Sequence, residues 1–353
     1  MSKRRLSQTQ ARRIKQKQQK QRENANKGDN PPLGLDEDSL GIEQHGRVVA
    51  HYGTQVDIEA HNADPDNGRK GTIRCFLRAN LGSIVTGDHV IWRASKKDDL
   101  GVVVSCQPRQ SLLSRPDTFG KLKPVAANVS QIIITIAPKP EAHTNLIDRY
   151  LVIAEINDIA PIIIINKADL ISEQNRANFS AITKLYTNLG YRVLSMSAHS
   201  HQDIAQLTAL IKGKTSIFVG QSGVGKSSII QRLVPEQEIL VGSLSEATAK
   251  GRHTTTHSQL FHFAQGGECI DSPGIREFGL WHLHSEDVIK GFVELREIAQ
   301  MCKFRDCLHE VEPGCAIRQA LEDQTITQQR FDSYKRIIAS LNDVAMKTMN
   351  NLD

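Results

Sequence analysis

The chain has 353 residues, room for two or three domains, and its 39% hydrophobic and 24% charged content suits a folded protein with a polar appendage. No apolar run approaches the roughly 18 residues of a membrane helix, and no apolar segment backs the basic start Met1–Arg5, so neither a membrane partner nor a secretory signal is expected. Six cysteines are too few for a disulfide scaffold, which points to a reducing, cytoplasmic compartment.

The formal net charge of +5 is unevenly placed, because residues 1–27 hold ten Lys/Arg against the single acid Glu23. Residues 1–44 contain no aromatic residue and cannot bury enough apolar surface to offset their ordering entropy. This stretch reads as a basic, disordered arm, either solubilising or suited to neutralising RNA phosphates.

Residues 45–112 read as short strands: Arg47–Tyr52, Gln55–Ala60, Gly71–Ala79, His89–Arg93 and Gly101–Cys106. The intervening Asp64-Pro65-Asp66-Asn67-Gly68 and Thr86-Gly87-Asp88 are turn chemistry. Five strands in so short a span fit a small barrel of the OB type.

Residues 113–280 change rhythm. Apolar runs at Gln131–Ile136, Pro161–Ile165, Tyr191–Met196 and Thr215–Val219 alternate with helical patterns near Asn145–Asn157, Glu173–Leu189, Asp203–Ile211 and from Lys226. Runs apolar at successive positions, such as Ile162–Ile165, indicate strands covered on both faces of a parallel sheet. Residues 281–353 read as a helical domain, with Ser285 as a helix cap and a long helix over Gln328–Met346.

Chemistry concentrates in a few loops. Gly220, Gln221, Ser222, Gly223, Val224, Gly225, Lys226 and Ser227, followed by Ser228, form a complete G-x-x-x-x-G-K-S between a strand and a helix. The glycines let backbone N–H groups surround phosphate oxygens, Lys226 reaches the terminal phosphates, and the Ser227 hydroxyl suits Mg²⁺. Asn166-Lys167-Ala168-Asp169 follows the strand Pro161–Ile165. A carboxylate there accepts guanine N1–H and N2–H₂, a donor pair that adenine lacks. Ser197-Ala198, at the next strand end, is placed to offer a backbone contact to guanine O6. Asp271-Ser272-Pro273-Gly274 is a D-x-x-G turn in which Asp271 acts on Mg²⁺ through water and the Gly274 amide meets the γ-phosphate. One of Thr254, Thr255 and Thr256 completes the Mg²⁺ shell. Ile275 stands where many GTPases carry a water-orienting Gln, so His253 is the candidate for that task.

Cys302-x₄-Cys307-x-His309-x₅-Cys315 is a closed Cys₃His set suited to structural Zn²⁺. Cys75, Cys106 and Cys269, scattered in strands, read as ordinary buried thiols.

The order of these loops is informative. Ordinary GTPases run phosphate loop, switch Thr, D-x-x-G, N-K-x-D, S-A; here N-K-x-D and S-A come first. This is one rotation of the cycle, which a domain tolerates when its natural ends lie close together. The rotated order, GQSGVGKSS, GRHTTT, DSPGIREFGLW and the cysteine knuckle together resemble the RsgA (YjeQ) family of bacterial ribosome-biogenesis GTPases, over essentially the whole chain. The resemblance implies GTP hydrolysis stimulated by the small ribosomal subunit, binding to its rRNA, a role in its late maturation, and a part for His253 in catalysis. GTP/GDP, Mg²⁺ and one Zn²⁺ are the expected cofactors, and a monomer the expected state. Two other readings compete: an RNA-binding module holding guanine nucleotide as a structural, non-hydrolysed ligand, and an ATP-dependent small-molecule kinase, against which Asn166–Asp169 argues.

Overall fold

The computed structural model describes residues 37–61, 71–117, 121–234, 258–272, 283 and 285–350. They fall into two compact units, one of residues 1–110 with 257–259 and one of residues 111–256 with 260–353.

The first unit is a five-stranded barrel made of β1 (Leu40–His51), β2 (Gln55–Ala60), β3 (Ile73–Leu77), β4 (His89–Ser95) and β5 (Leu100–Cys106). β1 pairs antiparallel with β2 and β4, β2 with β3 and β4 with β5, while β3 and β5 close the circle in parallel. This is the OB arrangement the strand count predicts. Val48, Val56, Ile58, Val90, Trp92 and Val103 point inward at 1% exposure or less and fill it. β1 begins at Leu40, so residues 40–44, which composition groups with the arm, are strand. Arg93 explains part of this: its guanidinium donates to the Gly41 carbonyl at 2.7 Å and to Leu40. The turn Thr86-Gly87-Asp88 is pinned by fully buried Asp88, which accepts from the Val85 N–H and pairs with Arg109 at 2.7 Å. The Cys75 and Cys106 thiols are pushed up to about 12, chiefly by burial, and so stay protonated and unreactive.

The second unit opens on a hairpin, β6 (Leu112–Pro116) and β7 (Leu122–Ala127). Its main sheet contains β8 (Gln131–Ile136), β9 (Ala160–Ile165), β10 (Arg192–Ser195), β11 (Thr215–Val219), β12 (Ser258–His262) and β13 (Glu268–Asp271). Their spatial order is β10-β9-β8-β11-β13-β12, and the ladders from β10 through β13 are parallel. β8 and β11 are buried at every position, the polar Gln131, Thr135, Thr215 and Ser216 included, as strands covered on both faces are. Among the described residues, the helices that connect the strands are α1 (Thr144–Ile156), α2 (Glu173–Asn188), α3 (His201–Ile211) and α4 (Lys226–Leu233).

The C-terminal part adds α5 (Ser285–Val288), a 3₁₀ turn at Ile289–Gly291, α6 (Val293–Ala299), α7 (Ala316–Glu322) and α8 (Gln328–Asn350). Ser285 opens a helix of only four residues, which continues as the 3₁₀ turn. Arg330 of α8 is 1% exposed and anchors this part to the sheet domain by pairing with fully buried Asp148 of α1 and with Glu294 of α6. Its guanidinium also lies 4.3 Å from the Phe292 ring centroid. Among the described residues no helix is long and apolar enough to cross a membrane.

Candidate nucleotide site and metal centre

β11 ends at Val219 and α4 begins at Lys226, so the phosphate loop sits on the strand–turn–helix its motif demands. Three loop glycines have positive φ: Gly220 at 136°, Gly223 at 83° and Gly225 at 95°. Two of them also lack room for a side chain. A Cβ on Gly220 would lie 2.1 Å from the Thr135 carbonyl oxygen, and one on Gly225 would lie 2.3 Å from Asn166 Nδ2. The turn therefore needs glycine for both conformation and space. Lys226 Nζ donates to the Gly220 and Gln221 carbonyls at 2.7 Å each, which fixes the ammonium over the loop. Ser222, Ser227 and Ser228 are exposed, and Val224 is buried beneath them.

Asn166–Asp169 reaches the same place from β9. Asn166 is 1% exposed; its Nδ2 donates to the Val224 carbonyl at 2.8 Å and its Oδ1 accepts from the Ala198 N–H at 3.2 Å. Lys167, with φ 58°, aims its ammonium at the carbonyls of Gly223 (2.7 Å) and Lys139 (3.2 Å). A 3₁₀ turn from Ala168 to Leu170 leaves Asp169 exposed. The Ser197 hydroxyl is the main influence holding the Asp169 carboxyl below the usual carboxylate range; its own backbone N–H, His199 and Lys167 act in the same direction. An ionised acceptor is what a pair of guanine donors requires.

The Ser197-Ala198 loop is braced from below by Asp203, in the first turn of α3, whose Oδ2 accepts the Ser197 N–H at 2.8 Å. Asp203 and Lys139 are contributors that no motif marks: Asp203 holds the N–H of another loop, and Lys139 offers only its own carbonyl, to the Lys167 ammonium. Asp271 closes β13. His253, Thr254, Thr255, Thr256 and Gly274 lie outside the described residues.

The candidate metal centre sits between α6 and α7. The ligand atoms of Cys302, Cys307, His309 and Cys315 all lie within 4.8 Å of one another. His309 Nδ1 is 3.6 Å from Cys302 Sγ and 3.5 Å from Cys315 Sγ. Zinc bonds of about 2.3 Å to sulfur and about 2.0–2.1 Å to nitrogen at a tetrahedral angle put such pairs roughly 3.6 Å apart, so the residues fit the ion. Desolvation lowers the His309 pKa, which favours the neutral imidazole that ligation needs. Glu312 shapes the loop between the ligands. Its carboxylate accepts from the N–H groups of Leu308, Glu310 and Val311 at 2.7–3.0 Å, and these bonds with its own backbone N–H hold its pKa down to about 2.

Comparison with known proteins gives a consistent picture. A family model described as RsgA GTPase matches residues 106–281. The "Small ribosomal subunit biogenesis GTPase RsgA" of Saccharophagus degradans is 50% identical over 352 residues, covering 98% of this chain and 100% of that protein. Its namesake from Pseudomonas fluorescens is 51% identical over 344 residues, covering 97% and 99%. Among solved structures, YjeQ from Thermotoga maritima superposes with a TM-score of 0.68 at 30% identity, covering 85% of this chain and 99% of that one. YloQ, titled a circularly permuted GTPase, gives 0.67 at 29% identity, covering 88% and 98%.

Proposed function

Since this chain belongs to the RsgA family of GTPases, we propose that it is a GTP hydrolase serving the biogenesis of the small ribosomal subunit. The observation that carries the reading is the meeting of two loops 58 residues apart, where Asn166 and Lys167 bond the Val224 and Gly223 carbonyls. A guanine-selecting loop and a phosphate loop thus form one pocket although their order in the chain is rotated.

In this pocket, backbone N–H groups of Gly220–Ser228 surround the phosphates, and Lys226 leaves its loop carbonyls to meet the terminal ones. Asp169 takes the guanine N1–H and N2–H₂, while the Ala198 amide faces O6. Ser227, Asp271 through water, and one of Thr254–Thr256 would hold Mg²⁺, which neutralises charge on the β- and γ-phosphates. The Gly274 amide senses the γ-phosphate. With Ile275 in place of a Gln, His253 orients the attacking water, and basal turnover is slow, on the order of 10⁻⁴ to 10⁻² s⁻¹. Cys302, Cys307, His309 and Cys315 hold a structural Zn²⁺. The same reading divides the chain into arm (1–44, the last five residues of which belong to barrel strand β1), barrel (45–112), GTPase domain (113–280) and zinc domain (281–353). Arm, barrel and zinc domain dock on the subunit's rRNA in the cytoplasm, late in its maturation.

The test is single-turnover GTP hydrolysis against rising small-subunit concentration. The rate should climb steeply and saturate, and His253→Ala should keep GTP affinity while losing the climb. A flat rate with intact GTP binding would instead support the RNA-binding module with a non-hydrolysed ligand.

A further inference from the structure

The two base-facing loops meet through the peptide unit between Met196 and Ser197. Its carbonyl accepts the Ala168 N–H at 3.0 Å, one residue before Asp169. Its N–H, on Ser197, donates to Asp203 Oδ2 at 2.8 Å. A peptide unit is planar, so an acceptor that fixes its N–H end also fixes the direction of its carbonyl. The next N–H along, that of Ala198, is held by Asn166 Oδ1 at 3.2 Å, the long end of the normal range. Its partner lies in the Asn166–Asp169 segment itself, so this donor can be shared with an acceptor on an incoming base.

Asp203 is not spent on its own helix. Ser200 caps α3, and its hydroxyl accepts the Asp203 N–H at 3.2 Å. An acid at the third helical position ordinarily returns to the N–H of the capping residue. Here the Ser200 N–H is already satisfied by the Ser197 carbonyl at 3.0 Å, and the Asp203 carboxylate reaches three residues farther back, to Ser197. The loop is also seated from below, because buried Met196 and Ala198 share one apolar core with Leu207 of α3. Apolar packing of this kind fixes the depth of the loop, whereas the carboxylate fixes the rotation of the peptide that joins it to Ala168.

We propose that Asp203 is a positioning residue for base selection: through the Met196–Ser197 peptide it sets both readers of the guanine edge, Asp169 by way of Ala168 and the Ala198 amide directly. This rests on the reading of these loops as a guanine site. Asp203 touches no part of the nucleotide, and its contribution is to preference among bases, not to the grip on phosphates.

The experiment uses the full chain and three diphosphates that compete with a fluorescent GDP analogue. IDP lacks only the N2 amine that Asp169 accepts, and 6-thio-GDP replaces the O6 acceptor by a weaker sulfur. The natural chain should prefer GDP over 6-thio-GDP by about fivefold and over IDP by about tenfold, the value of one hydrogen bond to a neutral and to a charged group. Asp203→Ala should weaken GDP about five- to tenfold and leave IDP and 6-thio-GDP nearly unmoved, so that both preferences shrink toward one. Asp203→Ser, one atom shorter than the span requires, serves the same purpose if the alanine variant folds poorly. Asp203→Asn keeps an acceptor for the Ser197 N–H and should restore both preferences to within about twofold of the natural chain. An equal loss for all three diphosphates, with the preferences intact, would make Asp203 a brace for the fold alone and overturn the proposal. Preferences in Asp203→Asn as flat as in Asp203→Ala overturn it too, since the acceptor would then not be what matters. A natural chain that binds GDP but ranks the three diphosphates equally also overturns it, and one that binds no GDP removes the nucleotide reading beneath it.

Discussion

The two inner glycines of the phosphate loop make a matched pair for testing the pocket. Both have left-handed backbones, with φ 83° at Gly223 and 95° at Gly225. Alanine at either position carries the left-handed penalty of about 1–2 kcal/mol. Their surroundings differ. A Cβ on Gly223 meets nothing nearer than Pro140 Cδ at 3.7 Å, whereas one on Gly225 would sit 2.3 Å from Asn166 Nδ2. Asn166 cannot swing aside cheaply, because it is 1% exposed and tied to both Val224 and Ala198. Gly225→Ala must therefore break the buried Asn166–Val224 bond, adding about 1–3 kcal/mol to the backbone strain. The totals are roughly 1–2 kcal/mol for Gly223→Ala and roughly 2–5 kcal/mol for Gly225→Ala. Expressed wholly in binding, these are about 5- to 30-fold and about 30- to several-thousand-fold losses of nucleotide affinity. Titration of a fluorescent GDP analogue reads both, and thermal melts without nucleotide should already rank them, since the bond belongs to the folded chain itself. Equal affinities in the two variants would refute the claim that the guanine loop and the phosphate loop lean on each other at this point.

Three further outcomes follow from the same geometry. Asp169→Asn replaces one of two acceptors by a donor, so competition assays should show lost preference for GTP over ATP and a gained preference for xanthosine triphosphate, whose C2 carbonyl suits the amide; unaltered GTP preference would remove Asp169 from the base pocket. Metal analysis of the purified protein should give one zinc per chain, and Cys307→Ser should lose it together with the ordered loop from Lys303 to Gly314, seen as faster amide exchange there. Deleting residues 1–27, with their ten basic side chains, should weaken binding to rRNA and flatten its dependence on salt, because fewer counterions are released; a salt slope equal to the full chain's would exclude the arm as a phosphate clamp.

What was legible in the sequence is what is local. Strand Thr215–Val219 matches its apolar run at both ends, and α4 starts at the lysine that the motif places there. The Cys₃His cluster was legible because three thiols and an imidazole within 14 residues are rare outside a metal site, and the structure brings their ligand atoms within 4.8 Å of one another. Contributors acting across the chain were not. Asp203 and Glu312 are single polar residues on an ordinary helix and an ordinary loop, and each works by holding backbone atoms, which leave no trace in residue type. The β6–β7 hairpin escapes for a different reason. Pro116 and Pro124 stand inside its strands, and proline argues against a strand unless the strand is an edge, as both are in a two-stranded sheet. The start of β1 escapes because Gly41, Glu43 and Gln44 look like more of the polar arm, whereas the Arg93 side chain ties that stretch to the barrel.

The rotated order becomes intelligible from strand register. β8 lies between β9 and β11, with Ile136 level with Ile165 on one side and Ile134 level with Val219 on the other. The guanine loop thus starts two residues, about 6–7 Å, farther along the common axis than the phosphate loop, and about 9–10 Å to its side. Parallel strands put every one of these loops at the same edge of the sheet whatever the sequence of connections, so rotation leaves the pocket's dimensions unchanged. What rotation does change is which element follows which. β8, the strand between the two loops, now comes first, and it feeds directly into α1, the helix against which the C-terminal part packs through Asp148 and Glu155. The chain order that looks like an accident of ancestry is also the one that hands the strand between the two loops to the helix on which the C-terminal part is seated.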